Sequence, residues 1–148
     1  MTSKGIFFNN EEIDFRLSEK LKIKRWLKAL IGKENCVLGE INYVFCSDSY
    51  LLKMNQEYLQ HDTYTDIITF DYCDITKTNS KRISGDIFIS IDRIKENAEK
   101  FNSGFENELK RVLAHGTLHL IGYKDKKKED KQQMTNKENE ALELFRSI

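Results

Sequence analysis

Residues 112–130 read VLAHGTLHLIGYKDKKKED. His115 and His119 stand four residues apart, Gly122 follows three residues after the second histidine, and Asp125 three residues after the glycine. Positions i and i+4 of a helix lie one turn apart on the same face. Two imidazoles at that spacing can converge on one ion with bonds of ~2.0–2.1 Å. A glycine at position 122 can adopt a left-handed conformation, end the helix and turn the chain back. Asp125 then becomes the expected third ligand, a carboxylate suited to zinc. Glu129 and Asp130 are rival carboxylates but are expected to enter the next helix. A catalytic mononuclear zinc site has three protein ligands and an open position, so the expected set is His115, His119 and Asp125.

Upstream, Ser103-Gly-Phe-Glu106 reads as a capping box opening this helix. Phe105, Leu109, Leu113, Gly116 and Leu120 share one face, and Ala114, Leu118 and Ile121 cover a second. A helix apolar on most sides is buried, so the metal helix should be central. The strand pattern fits around it: IFFNN (6–10), GEINYVFCS (39–47) with Ile41, Tyr43 and Phe45 on one face, DIITFDY (66–72) and GDIFISI (85–91). Between the last two, residues 73–84 read as a polar connection. Leu21, Trp26, Leu27, Leu30 and Ile31 mark a helix capped by Ser18 and stopped at Gly32. Ser47 or Asp48 can cap a helix over DSYLLKMNQEYL, and Asp92 one over DRIKENAEKF. From about Asp130, Met134, Glu138, Ala141, Leu142 and Phe145 recur at helical spacing as an amphipathic closing helix. Helices and strands mix without strict alternation. The expected fold is therefore α+β: residues 1–148 as one domain, with a small twisted mixed sheet of about four strands packed by helices.

Composition narrows the classes. The chain has 148 residues, 24 basic against 24 acidic, 39% hydrophobic and 32% charged. That is an ordinary globular balance. Zero net charge gives no global attraction to nucleic acid, so RNA would have to be held by a local patch. Three unpaired cysteines, Cys36, Cys46 and Cys73, fit a reducing, cytoplasmic setting rather than a disulfide framework. No stretch approaches the ~18 apolar residues of a membrane span, and MTSKGIFFNNEEIDF does not read as a signal peptide.

HGTLHLIGYKD resembles the H-G-x-L-H-L-x-G-Y-D-H signature of the YbeY family of metal-dependent endoribonucleases. MNQEYLQHDTYTDIITFDY resembles the family's N-x-x-Y-R and T-D-V-L-S-F segments, and GDIFIS its G-D-I strand, in the same order. The resemblance spans about Tyr43 to Asp125. It implies an α+β fold with a central metal helix and a single zinc ion. It also implies cleavage of single-stranded RNA in late small-subunit rRNA 3′-end maturation and ribosome quality control, in the cytoplasm and at the ribosome. The family's three metal histidines fall on His115, His119 and Asp125, so the third is a departure. The family's arginine after N-x-x-Y falls on Leu59, a second departure, and leucine can neither pair with phosphate nor donate a hydrogen bond. Two imidazoles and a carboxylate leave the site with a charge of about +1 rather than about +2, a weaker Lewis acid that still supports hydrolysis in other zinc enzymes.

Other residues carry secondary expectations. Lys124, Lys126, Lys127 and Lys128 flank Asp125 and either hold an RNA backbone or form a solvated basic turn. His61 is a candidate for phosphate contact, general acid or fourth ligand. Glu108 can orient a ligand from behind, although such a Glu is more often a surface residue. Thr65 and Asp66 line a cleft edge or serve as turn residues. Tyr123 stacks on a base or packs against the turn. The attacking nucleophile, a water on the metal or the RNA 2′-hydroxyl, is left open. Two rival functions remain: a non-catalytic ribosome-associated factor with a structural zinc closed by Cys73 or His61, and a metzincin-like peptidase. The second needs a glutamate beside the first histidine as general base; that position is Gly116.

Overall fold

Alternation along the strands determines which side of the sheet each helix covers. In the computed structural model, which describes residues 5–58 and 65–148, the chain runs β1 (Gly5–Glu11), α1 (Lys20–Lys33), β2 (Val37–Cys46), α2 (Asp48–Tyr58) and β3 (Ile67–Asp71). It continues through β4 (Asp74–Ile75), β5 (Lys81–Ser90), α3 (Ile91–Lys100), α4 (Phe105–Ile121) and α5 (Lys128–Ser147). The sheet has five strands in the order β1-β2-β5-β3, with the short β4 also paired to β5. β1, β2 and β5 run parallel, and β3 and β4 pair antiparallel to β5. Residues 73–84, expected as a connection, therefore contain β4 and the start of β5. Their polarity reflects the exposed two-residue β4 and the turn over 76–80 that joins it to β5.

Ile41, Tyr43 and Phe45 of β2 and Ile83, Ile87 and Ile89 of β5 are buried beneath α4, as period-two alternation requires. The opposite face, with Cys46, Ile68, Phe70 and Phe88, packs against Leu51 and Tyr50 of α2. Helix α4 is central: Leu109, Leu113, Ala114 and Leu118 have no exposure. Gly116 of α4 faces Ile67 and Ile87 of the sheet. A Cβ there would stand 2.8 Å from Ile67 Cδ1 and 2.9 Å from Ile87 Cγ2, so a larger side chain would overpack this crossing. Thr117, one residue on, passes its hydroxyl proton to the Leu113 carbonyl at 2.8 Å, which leaves its oxygen to accept from the buried Tyr43 hydroxyl at 2.6 Å.

Helix α5 closes the structure against α1 and α4. Trp26, fully buried in α1, donates its indole N–H to the Ala141 carbonyl at 2.7 Å and meets Phe145 edge-on. The stripe expected for α5 is the buried one: Met134, Glu138, Ala141, Leu142 and Phe145.

Several helix ends differ from expectation, at α3 and α4 because the expected capping side chains bind elsewhere. The expected capping box is not made: Gly104 is the N-cap of α4, and the Ser103 hydroxyl reaches Glu108 at 3.4 Å. Ser90 caps α3 by accepting from Arg93 N–H, while Asp92 accepts from the backbone N–H of Asp48. Glu19, not Ser18, is the N-cap of α1, and the helix runs through Gly32 to Lys33. Asn35 supplies the left-handed residue beyond that end. Leu21 is 75% exposed, and Ile23 takes its place in the buried stripe. Ser47 does cap α2, accepting from Tyr50 N–H.

Candidate metal centre

His115 and His119 project from α4 with ring centroids 4.5 Å apart and planes at 81°. Just beyond them the helix ends in a Schellman turn: Gly122 N–H reaches the His119 carbonyl and Tyr123 N–H the Leu118 carbonyl, with Gly122 at φ 131°. Two contacts anchor the turn. Lys81 donates to the terminal Ile121 carbonyl at 2.8 Å, where a cation also complements the helix dipole. The Tyr123 hydroxyl donates to Glu34, which also pairs with Lys137. Tyr123 is thus a packed anchor of the turn. The reversal returns Asp125 to the histidine stripe.

Asp125 Oδ2 lies 3.3 Å from His115 Nε2 and 3.4 Å from His119 Nε2. These separations are longer than the ~2.7–2.9 Å of a charge-assisted hydrogen bond. They match the edge of a tetrahedron with metal–ligand bonds of ~2.0–2.1 Å, which is about 3.3–3.4 Å. Among the described residues this is the one group of three such side chains with ligand atoms within 4.8 Å of one another. The three can hold a metal ion. Their side chains remain 21%, 26% and 39% exposed, so one side of the cluster faces solvent, as an open coordination position requires. Glu129 and Asp130 lie in the first turn of α5, as expected.

Behind the cluster stands a residue that local spacing did not single out. Glu138 of α5, 7% exposed, accepts from His115 Nδ1 at 2.6 Å, while Arg111 binds its other oxygen at 2.8 Å. The ring's other nitrogen, Nε2, is then free to ligate. Glu108, considered for that role, is held by Ser103 instead. The signal for Glu138 was present in the sequence: a glutamate inside the apolar stripe of α5 must be paired once buried. Asp66 enters at the start of β3, its carbonyl accepting from Ser90 N–H. Burial pushes its carboxyl upward, opposed by the charge of nearby His115. The Thr65 hydroxyl donates to the Ile67 carbonyl. Lys124, Lys126, Lys127 and Lys128 are all exposed. Cys73 is committed elsewhere, against the carbonyls of Ser84 and Leu120. His61 and Leu59 lie outside the described residues.

Burial lowers the pKa of His115, but the Glu138 hydrogen bond and the charges of Glu138, Asp125 and Asp66 outweigh it and leave the value above the ordinary 6.5. A raised folded-state pKa stabilises the ion-free fold fully below the unfolded value of about 6.5 and ceases to do so as pH rises through the raised value. Urea midpoints of ion-free protein are therefore expected to fall over that window. Affinity for a metal ion should fall in the opposite direction, as acid returns a proton to His115. Ion-free midpoints that stay flat or rise as pH climbs from about 6.5 would contradict this.

A mixed sheet beneath a central helix, with two histidines and a carboxylate returned by the following turn, defines an α+β protein carrying a candidate mononuclear metal centre. Comparison with known proteins gives the family. The family model described as Endoribonuclease YbeY matches residues 6–146. A protein of that name from Flavobacterium psychrophilum is 52% identical over 136 residues, covering 92% of this chain and 94% of its own length. Another from Cytophaga hutchinsonii is 49% identical over 144 residues, covering 97% and 98%. The solution structure of TM1509 from Thermotoga maritima superposes with a TM-score of 0.64 at 27% identity, covering 95% of this chain and 88% of that one. The chain belongs to the YbeY endoribonuclease family.

Proposed function

We propose that this protein is a zinc-dependent, single-strand-specific endoribonuclease. In this reading it matures the 3′ end of small-subunit rRNA at the ribosome, in the cytoplasm, and contributes to ribosome quality control. The observation that carries the reading is the convergence of His115, His119 and Asp125 at tetrahedral-edge distances within a chain of this family. The whole chain acts as one domain. Zinc, when bound, would supply positive charge at a phosphoryl oxygen and lower the pKa of a water toward ~7. The chain's own part is to present two Nε2 donors and one carboxylate oxygen on a rigid helix end and to leave their outer side open to RNA. Among the described residues no helix is long and apolar enough to cross a membrane.

Two observations weigh against the rivals. A peptidase would need a glutamate where Gly116 packs against Ile67 and Ile87 with no room for a side chain. A structural zinc closed by Cys73 would need a thiol that is instead engaged at Ser84 and Leu120.

With leucine at position 59, backbone phosphates must be held by other cations. In this reading Lys124, Lys126, Lys127 and Lys128, exposed around Asp125 and without side-chain partners among the described residues, supply that charge. Each phosphate contact on a single strand contributes about 0.7 to the slope of log affinity against log salt. Replacing Lys126, Lys127 and Lys128 together by alanine should flatten the slope by about 2. An unchanged slope would show the turn to be merely solvated.

The function is tested by stripping the protein with a chelator and assaying single-stranded and duplex RNA of one sequence. The reading expects no cleavage without metal, cleavage of the single strand when zinc is returned, and little of the duplex. Zinc-loaded protein that cuts neither substrate would favour the non-catalytic factor.

A further inference from the structure

Glu138 lies on α5, 23 residues beyond His115, yet it makes one of the shortest polar contacts of the candidate site, 2.6 Å to Nδ1. It is 7% exposed, and a carboxylate removed from water requires partners for both oxygens. It has them: His115 on Oε2 and the Arg111 guanidinium on Oε1 at 2.8 Å. Arg111 in turn holds Asn139 through its second terminal nitrogen, also at 2.8 Å. Arg111 and His115 are one turn apart on α4, so a single face of that helix carries both the ligand and the clamp for the residue that orients it.

We propose that Glu138 is the positioning residue of the metal centre, acting through His115, and that Arg111 fixes it; the proposal rests on the metal-site reading above. Accepting the Nδ1 proton selects the tautomer whose Nε2 lone pair faces Asp125 and His119. It also stops the ring rotating and makes Nε2 a better donor. Because Glu138 arrives on a separate helix, docking of α5 and binding of the ion are linked. Each favours the other by the same factor, as reciprocity of binding requires. Helix α5 is thereby a functional part of the site as well as a lid on the core.

The test measures zinc affinity by competition with a chromophoric chelator, together with the histidine tautomer by nitrogen NMR, on wild type, Glu138→Gln, Arg111→Met and His115→Ala. Glu138→Gln keeps the size of the side chain and removes its charge. It should bind zinc about 10–100-fold more weakly and shift the His115 tautomer balance while retaining helical circular dichroism. Arg111→Met leaves the carboxylate in place and should weaken zinc severalfold. A purely structural role for Glu138 would lower the melting temperature of ion-free protein and leave zinc affinity and tautomer unchanged; that result overturns the proposal. If Glu138→Gln does not fold, unchanged zinc affinity in Arg111→Met overturns it and a severalfold loss upholds it. His115→Ala separates the two levels: wild-type zinc affinity there would refute the metal reading itself. Lost affinity there, beside unaffected Glu138→Gln and Arg111→Met, would refute only the positioning role.

Discussion

Replacing His119 with alanine is expected to remove the metal and RNA cleavage together while leaving the fold intact. His119 is a quarter exposed at the end of α4, and alanine is the best helix former, so stability should change little. The centre, however, loses one of its three converging donors. The loss in zinc affinity should exceed about 100-fold, the upper end of what removing an outer-shell partner costs. Cleavage should fall in parallel at any zinc level that just saturates wild type. Competition titration and a cleavage assay on the same preparation measure both. Retained metal with lost cleavage would move His119 from ligand to another role.

The second large effect is expected far from the site, at Trp26. Its side chain is fully buried, meets Phe145 edge-on and donates to the Ala141 carbonyl. Truncation to alanine removes a large apolar volume and the indole hydrogen bond that ties α1 to α5. Such changes cost about 3–5 kcal/mol, a large share of the ~5–15 kcal/mol that holds a typical domain together. Urea unfolding should show this as a lower midpoint. Zinc affinity should drop as well, since α5 carries Glu138. A stability loss under about 1 kcal/mol, the cost of an ordinary surface-to-modest substitution, would mean that α5 is not held by this contact.

The cluster of His115, His119 and Asp125 was legible in the sequence because its parts are local. His115 and His119 share a helical stripe by spacing alone. Gly122 marks the turn, and Asp125 falls where a Schellman reversal delivers it. The sheet was legible wherever apolar residues alternate, as in Ile41, Tyr43 and Phe45. What remained hidden was set by distant partners. Asp92 looks like a helix cap but binds the backbone of Asp48 from another element, which leaves the capping to Ser90. Ser103 looks like half of a capping box but turns toward Glu108. The polar run around Asp74 hides a strand because β4 is an exposed edge whose side chains need not be apolar. Glu138 escaped for the same reason. Spacing within α4 can suggest Glu108 as a partner for His115, but it contains nothing about a carboxylate delivered by a different helix. Only the docking of α5, through Trp26 and the stripe around Ala141, brings Glu138 there.

In the proposed function Asp125 completes a metal centre that cuts RNA, although the family signature places a histidine at that position. Zinc content per chain and single-stranded RNA cleavage should be measured on the same samples of wild type and Asp125→Ala. The prediction is one zinc with cleavage for wild type, and loss of both for the variant. Full zinc and full cleavage in Asp125→Ala would contradict it.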